Sequence, residues 1–211
     1  MLKEGIPAAM IENCARYAGM PVGPLSLNDE VAVDLAWKIL KATEADLGAA
    51  AIDPRQKQLL EEMVEKRQRF GRKNGKGFYD YAPGQPKKLW PGLAELQKVK
   101  ADPDKIDVQE LKLRLLGIQA LETARCFEER VLTDVREADV GSILGFGFAP
   151  YSGGTLSWID MMGTRKFVEL CRLFEQRYGE RFAPNRLLLD LADSNEGFYQ
   201  RFGSGKRKQA A

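Results

Sequence analysis

Arg69-Phe70-Gly71-Arg72-Lys73-Asn74-Gly75-Lys76-Gly77-Phe78-Tyr79-Asp80-Tyr81 is the stretch that decides how the chain reads. Its three glycines and its asparagine reach left-handed backbone at little cost, so the stretch is a turn. Phe78, Tyr79 and Tyr81 then supply enough apolar area to pin that turn to a core. Gly77-Phe78-Tyr79 returns near the far end as Gly197-Phe198-Tyr199. Upstream, Gly23-Pro24-Leu25-Ser26-Leu27-Asn28-Asp29 aligns with Gly154-Thr155-Leu156-Ser157-Trp158-Ile159-Asp160. Gly19-Met20-Pro21 aligns with Gly147-Phe148-Ala149, with a short insertion after the second. Both halves therefore run in one order: a glycine turn, G-x-L-S-x-x-D, a helical stretch and G-F-Y. A collinear duplication of this kind sets the architecture before any single element does.

The spacing of apolar residues predicts helices throughout. Pro7 opens one through Met10, Ile11, Cys14, Ala15 and Ala18, which Gly19 ends. Pro24 opens a second, and a third covers about Val33 to Glu44 with Leu35, Ile39 and Leu40 as its apolar stripe. Asp53-Pro54-Arg55-Gln56 caps a fourth that runs to about Arg67 and buries Leu59, Leu60, Met63 and Val64. Ala82 to Ile106, rich in proline and lysine, reads as a linker laid over the surface and tacked down by Trp90 and Leu93. Asp107 caps a helix to about Glu129 whose face is Val108, Leu111, Leu115, Ile118 and Leu121. Further helices are expected from about Arg136 to Leu144, through Ile159, from Thr164 to about Tyr178, and from Pro184 through Leu191. No run alternates with period two for the length of a strand, so the expected class is all-α. The expected divisions are a first repeat over 1–81, a linker over 82–106, a second repeat over 107–203, and a disordered basic tail over 204–211.

The chain has 211 residues, a net charge of +2 and an apolar share of 44%. That balance gives no overall field toward nucleic acid or membrane. No apolar run is long enough to span a bilayer, and the N-terminus lacks the apolar core of a signal peptide. Cys14, Cys126 and Cys171 lie in helical patterns and read as buried thiols of a cytoplasmic protein. Histidine is absent, which removes every imidazole base, nucleophile or metal ligand from this chain taken alone. The cysteines have no metal-ligand spacing, so no metal and no catalytic residue is assigned.

Gly71 to Gly77 is not a phosphate loop. Three residues, not four, separate its first two glycines, no Ser or Thr follows the lysine, and a helix precedes it. Arg69, Arg72, Lys73 and Lys76 still offer charge to phosphates, against the plainer reading of a solvated basic turn. A basic scaffold for phosphate or nucleic acid is the minor reading of those residues. Gly145-x-Gly147 lacks the third glycine and the preceding strand of a dinucleotide site. Ser26 and Ser157 have no base near them in sequence, and Asp29 and Asp160 read as structural acceptors for the neighbouring turn.

Together these residues resemble the C-terminal region of the 3-hydroxyacyl-CoA dehydrogenase family, most closely its multifunctional type, which carries a helical domain twice in tandem. The first copy of the family reads E-G, G-x-P-x-G-P and F-G-x-K-x-G-x-G-F-Y-x-Y. Here these are Glu4-Gly5, Gly19 to Pro24 and Phe70 to Tyr81. The second copy is matched by Arg114-Leu115-Leu116, by Gly145 to Gly154 and by Asp160, with Ala149 in place of a proline. Ala32 replaces a glycine common in the family. The resemblance covers about residues 1–203.

The resemblance implies two repeats packed as a pseudo-dimer. It implies an acyl pocket whose wall includes Pro21, Val22, Gly23, Pro24, Leu25 and Leu27. It also implies that NAD and the catalytic His–Glu pair belong to an upstream domain, so that this chain binds no cofactor itself and is inactive alone. Met1 would then start inside a helix, in a truncated frame or an excised piece; a freestanding module docking on a separate NAD domain is the alternative. The substrate would be an acyl-CoA. Without the upstream domain, Leu2, Met20, Val22 and Leu25 are expected to form an open apolar patch that a homodimer would cover.

Overall fold

The computed structural model describes residues 1–97 and 99–203; the tail expected over 204–211 lies outside them. The chain divides into two compact units. The first comprises Met1–Arg16 and Val22–Val108, and the second comprises Tyr17–Pro21 and the chain from Gln109.

The first unit begins with a single 3-10 turn, Leu2–Glu4, closed by Gly5 in left-handed backbone. Met1 therefore precedes a turn, and the first α-helix starts only after Pro7. Helix α1 (Ala8–Tyr17) leads through the Gly19 turn to α2 (Pro24–Val31) and α3 (Val33–Leu47). The buried face of α3 is Val33, Trp37 and Leu40, while Leu35 and Ile39, expected to be inside, are exposed. The aromatic at position 37 turns the helix, because burying Trp37 removes more apolar area than burying Leu35 would. Asp53 caps α4 (Pro54–Glu61) by accepting from the Arg55 N–H at 2.8 Å, and the helix then relaxes into one π-helical turn over Glu62–Lys66.

The linker is less superficial than its composition suggests. Two-residue strands β1 (Tyr79–Asp80) and β2 (Lys88–Leu89) pair antiparallel. A 3-10 turn at Pro91–Ala94 then buries Leu93, and Leu96 is buried just after it. From there the chain straps the N-terminus. Lys3 Nζ donates to the Leu96 carbonyl at 2.9 Å, Gln97 Nε2 donates to the carbonyls of Leu2 and Ile6 at 3.0 and 2.8 Å, and the Ala101 N–H donates to the Gly5 carbonyl at 3.1 Å.

The second unit holds α5 (Val108–Glu128), α6 (Val135–Phe146), α7 (Thr155–Met162), α8 (Thr164–Tyr178), α9 (Arg186–Ser194) and α10 (Phe198–Phe202). Val108, which the apolar spacing puts on the inner face of α5, is exposed. The small residues Gly117, Ala120 and Ala124 share that face with Leu121 and Phe127, and all five are buried. Edge-to-face rings run from Phe148 through Trp158 to Phe167, with centroids 6.3 and 5.9 Å apart. Cys14 and Cys171 are buried thiols as expected, whereas Cys126 is half-buried. Burial pushes the Cys171 thiol up to about 12, so it stays protonated and inert.

The open apolar patch expected at the start of the chain does not exist. Leu2, Met20 and Leu25 are buried and Val22 is half-buried. The strap covers the turn that carries Leu2, and Gln119 of α5 lies 3.8 Å from the Met20 sulfur. The ground for a homodimer through that patch goes with it.

Candidate functional site

The stretch Gly23 to Leu27 is the first turn of α2, whose free N–H groups need acceptors. Gly23 stands at the N-cap and has no side chain to offer. Glu12, buried on α1, does the capping instead. Its Oε1 accepts from the Leu25 and Ser26 N–H groups at 2.7 and 3.4 Å, and its Oε2 accepts from the Tyr79 hydroxyl at 2.7 Å. A Cβ on Gly23 would lie 2.5 Å from that carboxylate, so only glycine fits. At the other end of α2, Asp29 accepts from the Phe78 and Tyr79 N–H groups at 2.7 and 2.8 Å and from the Tyr81 hydroxyl at 3.1 Å. Two carboxylates thus tie α1, α2 and the G-F-Y turn into one polar knot. Burial raises the Asp29 pKa, partly offset by the Phe78 and Tyr79 N–H bonds. Burial and the Glu12 carboxylate hold the Tyr79 hydroxyl protonated.

The second unit repeats the knot with its own residues. Asp139 of α6 accepts from the Leu156 N–H at 2.8 Å, from the Ser157 hydroxyl at 2.6 Å and from the Tyr199 hydroxyl at 2.9 Å. Asp160 accepts from the Phe198 and Tyr199 N–H groups at 2.7 and 2.9 Å. A Cβ on Gly154 would lie 2.4 Å from Asp139, as one on Gly23 would crowd Glu12. The donors arrive differently: Phe78 and Tyr79 lead into a strand, whereas Phe198 and Tyr199 open α10. Asp29 and Asp160 act as the sequence reading expects. Glu12 and Asp139 escape that reading, although an acid between Ile11 and Cys14, or directly after Ala138, in an apolar stripe is the visible signal.

Of the acyl-wall residues, Gly23 and Leu25 face inward and are buried. Val22 and Pro24 are half-buried, and Leu27 is 39% exposed. Pro21, in the second unit, is exposed. The four cations part company. Arg69 is buried, with Nε donating to the Gly77 carbonyl at 2.7 Å, its guanidinium on Asp80 and its plane 4.1 Å from the Trp90 ring. It is the internal pin of the turn. Arg72 pairs with Glu30 at 2.9 Å, Lys73 pairs with Asp34, and Lys76 is exposed. Lys87 donates to the buried Ser26 hydroxyl and lies over the Tyr79 ring. Among the described residues no group of three or more acidic or cysteine side chains is placed to hold a metal. No helix of the described residues is long and apolar enough to cross a membrane.

Each unit is thus largely helical and closes a glycine-aromatic turn on an aspartate. Residues 1–81 match the family described as 3-hydroxyacyl-CoA dehydrogenase, C-terminal domain. Its particular relatives are proteins named fatty acid oxidation complex subunit alpha. The one from Vibrio cholerae is 35% identical over 199 residues, covering 94% of this chain and 27% of the relative. The one from Shewanella loihica is 35% identical over 209 residues, covering 95% and 28%. The chain therefore spans little more than a quarter of those relatives. Two solved structures share the fold. The 3-hydroxybutyryl-CoA dehydrogenase of Escherichia coli K12 has a TM-score of 0.66 at 20% identity, over 92% of this chain and 56% of that one. The dehydrogenase part of multifunctional enzyme 1 from C. elegans has a TM-score of 0.64 at 21% identity, over 90% and 43%.

Proposed function

We propose that this chain is the C-terminal helical region of a 3-hydroxyacyl-CoA dehydrogenase of fatty-acid oxidation, which oxidises 3-hydroxyacyl-CoA to 3-oxoacyl-CoA with NAD. The observation that carries this reading is 35% identity to fatty acid oxidation complex subunit alpha along 94% of the chain. In this reading residues 1–81 and 107–203 are the two repeats, 82–106 join them, and the protein is cytoplasmic. The residues present do not fit NAD. The only sheet among those described is a pair of two-residue strands, and no glycine-rich turn leads from a strand into a helix. No step of hydride transfer is assigned to this chain, which also lacks histidine. Its part is to shape the acyl site. Val22, Pro24 and Leu27 carry the accessible apolar surface of the α2 turn, and the Glu12 knot behind them fixes its backbone. Lys76, exposed on the closing turn, is the cation left for a phosphate of the substrate.

A chimera tests the reading: this chain replaces the matching region of the Vibrio cholerae subunit alpha. The folded chimera is expected to reduce NAD with 3-hydroxyacyl-CoA, and Leu27→Trp within it to raise KM more for long acyl chains than for short ones. This chain alone is expected to produce no NADH. A folded chimera without dehydrogenase activity overturns the proposal.

A further inference from the structure

We propose that a groove in the second unit binds an aliphatic carboxylate. The groove lies between the end of α5, the loop that follows it, the start of α9 and the face of α10, and encloses about 680 Å³. That volume suits a small amphipathic molecule. Phe127, Leu132, Leu187 and Phe202 supply apolar walls, with the Phe127 and Phe202 rings 5.1 Å apart. Phe202 keeps 38% of its surface exposed at the C-terminal end of α10.

Arg130 and Arg186 line the same groove, and neither has an ion-pair partner among the described residues. Arg130 stands at φ 60°, the left-handed position that ends α5. Glycine is the residue that geometry favours, so an arginine there places a cation on the groove against the backbone preference. The start of α9 is already capped from α5. Asn185, at its N-cap, makes no capping bond with its side chain. The Leu187 N–H instead donates to the Glu128 carboxylate at 2.6 Å, so the anion site of this helix end is filled and the ligand's carboxylate is left to the two arginines. Glu128, its carboxylate held by the Leu187 N–H, and Asp190, one turn along α9, line the same groove and oppose an anion. The groove thus offers an apolar channel with two guanidinium groups at its edge. The inference rests on these residues and does not depend on the proposed dehydrogenase role.

The test is an NMR titration of the full chain with octanoate and, separately, with octan-1-ol. Octanoate is expected to shift the amides of Leu132, Thr133 and Leu187 and to bind about tenfold tighter than the alcohol, as one charge-assisted contact allows. Arg130→Gly, which keeps the helix end, and Arg186→Ala should each bring octanoate down to the alcohol. Asp190→Asn should tighten octanoate alone. Equal binding of the two probes, or shifts that bypass these amides, overturns the proposal.

Discussion

Ala32 lies at φ 93° and ψ 121° between α2 and α3, and Gly163 lies at φ 90° and ψ 128° between α7 and α8. These are the same joint in the two units, and only the second has the residue the backbone asks for. A Cβ in this region brings strain of about 1–3 kcal/mol, set against about 0.5–1 kcal/mol of extra chain entropy for glycine. Ala32→Gly is therefore expected to raise stability by about 1 kcal/mol in urea unfolding. A Cβ on Gly163 would meet nothing within 4 Å, so Gly163→Ala isolates the backbone term and should lower stability by about 1 kcal/mol. A neutral Gly163→Ala would show that the joint is unstrained. One methyl group in place of a glycine looks trivial in a sequence; the positive φ is what gives it weight.

Among the elements, the strap that follows β2 has the largest local effect for the least regular structure. Leu96 is 6% exposed and anchors the segment that holds the Leu2–Glu4 turn. Leu96→Ala is expected to lower stability by about 2–5 kcal/mol and to speed hydrogen exchange at Ala101, whose N–H bonds the Gly5 carbonyl. Destabilisation without faster exchange there would separate the leucine from the strap. The helices themselves are legible in the sequence, because Pro24, Pro54, Gly19 and Gly147 act locally and mark their own ends. The helix expected from Thr164 to about Tyr178 is Thr164–Tyr178. The knots are legible only by half. Asp29 and Asp160 stand in a repeated motif, whereas Glu12 and Asp139 differ in type and precede the motif across loops of unequal length. An isolated acid on a helix reads as surface until its distant donors are known. Leu35 and Ile39 mislead for the same reason, since periodicity finds a stripe but not which neighbour is heavier.

For the whole molecule, the repeated knot predicts an acid response. Burial raises the pKa of both Asp29 and Asp160 above the ordinary carboxylate value. A raised folded pKa means that the fold holds the neutral acid better than the ionised one. Taken alone, these groups add stability as pH falls through their folded pKa, a gain complete near the unfolded value of about 4. Asp34, lowered by its bond to Lys73, works in the opposite direction and below that value, where its contribution is lost as pH falls through its folded pKa. The two contributions separate in a variant. Asp29→Asn should be less stable than the parent at about pH 7, and the gap should widen on going to about pH 4, because only the parent gains on protonation. A gap that narrows toward acid would reverse the sign assigned to Asp29.

The division of the chain also sets an order of events during synthesis. Tyr17–Pro21 belongs with the second unit although it leaves the ribosome early. The Cβ that Gly19 lacks would fall 2.9 Å from Ala149, and one on Gly147 would fall as close to the Pro21 ring, so this short turn is shaped to residues made much later. At roughly 5–20 residues per second, the delay until Ala149 emerges is on the order of ten seconds. Through that interval the nascent chain carries Met20 without its cover. The first unit can close around its knot as soon as Tyr81 and the strap are free of the tunnel, but the turn at its own doorstep must wait for the second.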